Sequence, residues 1–251
     1  MASARALRRA LEGATDGIVR RARGARGMDA VLMLHDWLIG RFSYGELPGG
    51  LAHEAAGPLL HGAGVCEGAA KAFELLCGRC GIPCLVAIGA SRDPARGAGW
   101  EPHAWNLVMI EGRDGAPGWF HVDATFDAAL STTVPRRDYL CLGDAEIARD
   151  HRFGAGSLPP CPRAWGYYES VGRFAGTRSA LLRMAREAGL RGERTLVFQL
   201  PFLEGADEAF LARMGSEAAR ELAGCAPGPR GFTLACNPSQ MTCQVNLAKD
   251  A

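Results

Sequence analysis

Lysine is almost missing from this chain. Lys71 and Lys249 are the only two, and arginine carries the rest of the basic charge. Formal net charge is +1, so no strong overall field points to nucleic acid or a membrane surface as partner. No apolar run approaches the roughly 18 residues of a membrane span. The opening MASARALRRALEGATDGIVRRARGARG lacks the apolar stretch of a secretory signal, and Glu12 and Asp16 weigh against an organellar targeting peptide. Internal repeats and low-complexity runs are absent too. Cys77 and Cys80 have C-x-x-C spacing with Cys84 close behind, but no second such pair completes four zinc ligands. The expectation is therefore apolar packing, with no metal. The nine cysteines are odd in number. Without an export signal they lead us to expect reduced thiols, a cytoplasmic location and no disulfide framework.

The hydrophobic fraction is 48%, enough for a sizeable core. The Arg-rich segment 1–27 reads as a partly helical, solvated arm packed on the body. MDAVLMLHDWLIGRF places Ala30, Leu34, Trp37 and Leu38 on one helical stripe. A second helix is expected to begin at or near Cys66, with Cys66, Ala69, Ala70, Phe73, Leu76, Cys77 and Cys80 on its inward face. Gly81 and Pro83 end it. CLVAIGA follows as a buried strand. HAWNLVMIEG and WFHVDATF form two further strands joined by the Asp-Gly turn of GRDGAPG. Residues 127–153 read as loop with a short helix after Gly143. Pro159, Pro160 and Pro162 mark a linker. The expected organisation is an arm over 1–27, a core over 28–165 and a small α-β-α-β-β unit over 170–251.

GVCEGAAKAF distinguishes one cysteine from the other eight. A nucleophilic thiol must ionise near neutral pH, with a base beside it and a group orienting that base. A helix N-terminus favours the thiolate, and its unpaired N–H groups can receive an oxyanion. The turn near residues 112–115 folds the two strands back, bringing position 103 opposite a position between 123 and 126. Asp123 can then orient His103, and His103 can face Cys66. His121 alternates with Asp123 and is expected on the same face. His35, His53, His61 and His151 are expected as surface or packing residues.

These blocks resemble the core of the transglutaminase-like cysteine enzymes. The shared pattern is Gly-x-Cys-x-Gly at a helix start, Gly-Ile before a strand, His-Ala-Trp-Asn opening a strand and Val-Asp-x-Thr closing one. All occur here in order, within residues 28–151. YLCLGDAEIARDH resembles the Ser-Asp…His segment that often follows in bacterial members. The resemblance implies an α+β fold, with a nucleophile helix packed on an antiparallel sheet and a small C-terminal α/β extension. It implies Cys66 as nucleophile, His103 as general base and later acid, and Asp123 as orienting carboxylate. Trp105 and Asn106 would shape the His103 strand or the substrate surface, and Tyr44 is a candidate second oxyanion donor. The implied partner is a peptide or protein amide, and no cofactor is required. Loops 47–63, 91–102 and 124–140 are expected to carry specificity. Arylamine N-acetyltransferases use the same order of residues, but their Arg-Gly-Gly-x-Cys context is absent from AGVCEG. A catalytically idle peptide-binding module is the alternative from another class.

Overall fold

The computed structural model describes residues 2–92, 99–154, 156, 158–225 and 231–248. Positions 93–98 of the loop 91–102, and positions 226–230 and 249–251 near the C-terminus, lie outside the described residues. The chain divides into two compact units, Met1–Trp165 and Gly166–Ala251.

The first unit is α+β. A five-stranded antiparallel sheet has the order β6-β5-β4-β3-β7. Its strands are β3 (Cys84–Ser91), β4 (Glu101–Glu111), β5 (Pro117–Val122), β6 (Leu140–Leu142) and β7 (His151–Arg152). The helix α3 (Cys66–Cys80) packs on the central strand. It buries Ala69, Ala70, Ala72, Phe73, Leu76 and Cys77. Gly81 ends it at φ 76°, a left-handed conformation that favours glycine. The buried amide of Asn106 staples this helix to the sheet, donating to the carbonyls of Ala70 (3.0 Å) and Leu85 (3.3 Å).

Two helices precede α3. The helix α1 (Ala2–Arg23) buries Ile18, Val19 and Ala22. Arg79, on the last turn of α3, donates to the Glu12 carbonyl, the Thr15 hydroxyl and the Asp16 carboxylate. The helix α2 (Met28–Ile39) buries Ala30, Val31, Leu34, His35, Leu38 and Ile39. Trp37, expected on this stripe, is only half-buried, and the Arg41 guanidinium lies over its ring at 4.6 Å. His35 takes the interior place instead.

Two strand expectations change. β3 is not buried throughout, since Ile88 is 72% exposed. The returning strand stops at Val122, where Asn106↔Val122 is the last rung of the β4–β5 ladder. There Asp123 becomes the N-cap of α4 (Ala124–Leu130), its Oδ1 accepting the amides of Thr125 (2.9 Å) and Phe126 (3.1 Å). Capping satisfies orphan donors that a continued strand would have to pair elsewhere. Residues 127–153 thus hold the rest of α4, the two outer strands β6 and β7, and α5 (Asp144–Ile147).

The second unit contains α6 (Tyr167–Ser170), α7 (Arg178–Leu190), β8 (Thr195–Gln199), α8 (Glu208–Gly224), β9 (Phe232–Asn237) and β10 (Thr242–Leu247). Its strands form an antiparallel sheet in the order β8-β10-β9. Thr177 and Asp207 cap the two long helices. Leu181, Ala185, Leu196, Phe198, Leu211, Leu222 and Val245 make its own apolar core. Among the described residues no helix is long and apolar enough to cross a membrane.

Candidate active site

The geometry begins with glycine. Residues 48–53 form a 3-10 turn and Gly57–His61 a π-turn, and together they wrap the start of α3. A Cβ at Gly68 would strike the Ala52 carbonyl. A Cβ at Gly64 would lie 2.7 Å from Pro58 Cγ. Neither position tolerates a side chain, which gives the Gly-x-Cys-x-Gly spacing a steric reason. Cys66, between them, opens α3 half-buried. The N-cap residue is Val65, whose side chain makes no capping bond, so the first-turn amides lack the usual capping partner.

His103 lies on β4, opposite Gly89 on β3. A Cβ at Gly89 would come within 2.8 Å of the Trp105 ring. Trp105 in turn stacks on the His103 imidazole, with centroids 6.0 Å apart and planes 15° from parallel. Phe126 meets the imidazole edge-on at 5.1 Å. His103 Nε2 hydrogen-bonds Asp123 Oδ2 at 2.7 Å. The Cys66 thiol lies beside the same imidazole and is coupled to it electrostatically, and Nδ1 is the nitrogen left to face it.

The electrostatics follow from these contacts. Burial raises the Cys66 thiol. The hydrogen bond and charge of His103, with the backbone N–H of Ala104, outweigh it and leave the thiol below its ordinary value. Burial disfavours the His103 imidazolium, yet the Asp123 charge and hydrogen bond, with Cys66, hold it protonated well above the usual imidazole range. Asp123 is held far below the usual carboxylate range against its own burial by His103 and His151. The paired charges therefore favour thiolate, imidazolium and carboxylate in a row.

Other expected site residues fall elsewhere. Tyr44, 62% exposed, lies on the short strand β1 (Ser43–Tyr44). It pairs in parallel with Gly64 of β2 (Ala63–Gly64), two positions before Cys66. Trp105 and Asn106 are each 1% exposed. The structure therefore corrects their expected place on the substrate surface. The Asn106 amide is spent on two carbonyls, and Trp105 backs His103 from the interior. His121 is buried and shares a network with Trp105, whose Nε1 donates to its Nδ1 at 3.0 Å. Its Nε2 then carries the proton and donates to Asp144 Oδ1 at 3.0 Å.

His151 departs most from expectation. It is 1% exposed. Its Nε2 lies 3.0 Å from Asp123 Oδ2 and its Nδ1 lies 2.7 Å from Asp150 Oδ1. The signal in the sequence was the Asp150-His151 pair closing YLCLGDAEIARDH. His35 is likewise fully buried between carboxylates. His53, half-exposed, pairs with Glu67, and His61 is exposed.

Among the described residues, two sets of side chains bring metal-type donors within 4.8 Å of one another, His103 with Asp123 and His151, and His121 with Asp144 and Cys161. In the first, both Nε2 atoms face the one oxygen Oδ2 at hydrogen-bond distance. In the second, the tautomer imposed by Trp105 puts a proton on the nitrogen a metal would need. Burial, with Asp144, also pushes the Cys161 thiol up to about 12, away from a ligating thiolate. Cys77 is buried, and burial with Cys84 raises its thiol.

Residues 13–124 match the model of the transglutaminase-like superfamily. That segment contains Cys66, His103 and Asp123 and ends before His151. A stretch of 74 residues, 28% of the chain, is 34% identical to Kyphoscoliosis peptidase of Homo sapiens and spans 10% of that protein. Among solved structures, a candidate cysteine protease from Cytophaga hutchinsonii is 21% identical over 44% of this chain and 37% of that one, with a TM-score of 0.33. A TGase is 12% identical over 66% of this chain and 45% of that one, with a TM-score of 0.39. The chain thus spans a tenth of the human relative and less than half of either solved chain.

Proposed function

From the match of residues 13–124 to the model of the transglutaminase-like superfamily, we propose that the chain is a cysteine-nucleophile enzyme acting on amide bonds of peptides or proteins through an acyl-thioester. The observation that carries this reading is one imidazole, His103, hydrogen-bonded to Asp123 at 2.7 Å and electrostatically coupled to the neighbouring thiol of Cys66. The peptidase named among its relatives supports the same substrate class.

The Cys66 thiolate adds to the amide carbonyl carbon, and the carbonyl oxygen becomes an oxyanion. The N–H of Cys66 and its first-turn neighbours on α3 receive that charge. Tyr44, beside Gly64, is the candidate second donor. His103 passes its Nδ1 proton to the departing amine, the C–N bond breaks and the acyl group stays on sulfur. The neutral imidazole then takes a proton from water, and the resulting attack releases the acid and restores the thiolate–imidazolium pair. An amine in place of water gives transamidation; hydrolysis is the reading adopted here.

The test is alkylation of each cysteine against pH, read by mass spectrometry, on wild type and His103→Ala. Wild-type Cys66 should keep its rate well below pH 8. In the variant the rate should fall about tenfold per pH unit there, as for an ordinary thiol of pKa about 8.5. Equal, ordinary profiles in both proteins would sink the proposal.

A further inference from the structure

The hydrogen bonds do not stop at Asp123. Tyr139 Oη donates to Asp150 Oδ2 at 2.6 Å, and Asp150 Oδ1 lies 2.7 Å from His151 Nδ1. His151 Nε2 then reaches Asp123 Oδ2 at 3.0 Å, the same oxygen that His103 Nε2 meets at 2.7 Å. An ionised carboxylate only accepts hydrogen bonds. Both nitrogens of His151 face such oxygens, so both carry protons and the ring is an imidazolium. Its setting is sealed, with Phe126 at 4.9 Å and Trp105 at 5.1 Å between ring centroids.

Resting on the reading of Cys66 and His103 given above, we infer that His151 is a positioning residue of this site. As a buried cation fixed by Asp150, it shares the Asp123 carboxylate with His103 and sets the pH window in which the thiolate–imidazolium pair exists.

The four partner positions of Asp123 are filled, Oδ1 by the amides of Thr125 and Phe126 and Oδ2 by two imidazoles. The carboxylate can therefore neither rotate nor drift from His103. The titratable groups facing His151 are Asp123 at the cap of α4, Asp150 beside it, His103 on β4 at 5.3 Å, Tyr139 at 5.7 Å and His121 on β5. The two carboxylates hold its proton against burial. A cation here opposes the charge of Asp123. Removing it leaves that charge to act undiminished on its neighbours, so both the thiol and the His103 imidazolium lose their protons at higher pH.

The test has two readouts on the full chain. Long-range 15N NMR of wild type should show both His151 nitrogens protonated from pH 6 to 8. Cys66 alkylation against pH should show the lower limb moved up by about one pH unit in His151→Gln, and by less in Asp150→Asn, where loss of the anion partly offsets loss of the cation it holds. Gln keeps a donor for Asp123 while removing the charge. A neutral His151 at pH 7, or a depressed wild-type limb that neither variant moves, overturns the role of His151 alone. A wild-type Cys66 that alkylates like an ordinary thiol overturns the underlying reading as well.

Discussion

Two buried regions of this protein solve the same electrostatic problem and arrive at different chemistry. In one, His35 on α2 sits between Asp36 Oδ1 at 3.2 Å and Asp127 Oδ2 at 3.0 Å. Asp127 also accepts the amides of Asp138 and Tyr139, and Asp36 accepts two bonds from Arg137. In the other, His103 sits between the carboxylate of Asp123 and the thiol of Cys66. Both imidazoles are held protonated against burial. His35 spends both nitrogens on carboxylates and has no proton that another group can use. His103 spends one and keeps the other toward a group that can ionise. Burial and a carboxylate neighbour are shared, so they do not mark a catalytic histidine. What faces the second nitrogen does.

The strongest way to break this comparison is Asp123→Ala. It removes the carboxylate from two imidazoles at once and uncaps α4. We expect a loss of about 3–5 kcal/mol for the buried charges and about 1 kcal/mol for the cap in urea unfolding. The acid reactivity of Cys66 should disappear with it. A variant as stable as wild type would mean that the buried imidazoles do not depend on this carboxylate.

His35→Gln sharpens the contrast. It should cost about 3 kcal/mol, since it strands the buried carboxylate of Asp127 without its counter-charge, and yet leave the Cys66 alkylation profile where it was. A shifted profile would show that the two regions are electrically joined, against the separation argued here.

The pH dependence of stability supplies a third test. The carboxylates of Asp127 and Asp36 raise the folded-state value of His35 to about 9 against its burial. Its unfolded value is near 6.5. A raised value means that the stabilisation is fully present below about pH 6.5 and lost as pH rises through about 9. Wild-type melting temperature should therefore fall between pH 7 and 9.5, and His35→Gln should flatten that fall. An equal fall in both proteins would assign it to another group.

The smallest effect is expected from Asn106→Leu, which removes the ties to Ala70 and Leu85. About 1–3 kcal/mol should be lost, with Cys66 slower to alkylate but its pH profile unmoved in shape. A moved limb would place Asn106 in the charge network.

Several features were legible from neighbouring residues. The start of α3 at Cys66 could be read because Gly64 and Gly68 flank it and the apolar positions recur at helical spacing. The strand bearing His103 and the turn after it could be read from Asp114-Gly115 and the alternating pattern on either side. The end of β5 could not. His121, Asp123 and Thr125 continue the alternation of a strand, and only capping by Asp123 turns the chain into α4. The place of His151 beside Asp123, 28 positions away, could not be read either, although its pairing with the adjacent Asp150 left a trace in the sequence. Trp105 and Asn106 sit where the pattern placed their strand, but their burial depends on α3 and on residues beyond 150.

By itself the sequence determined where the helix bearing Cys66 begins, which strand carries His103 and how the next strand returns to it. Those features depend on helix and strand periods and on glycine sterics, which are properties of consecutive residues. Only the tertiary structure decided which groups face each buried histidine. The partners of His103, His151 and His35 arrive from segments far apart in the chain.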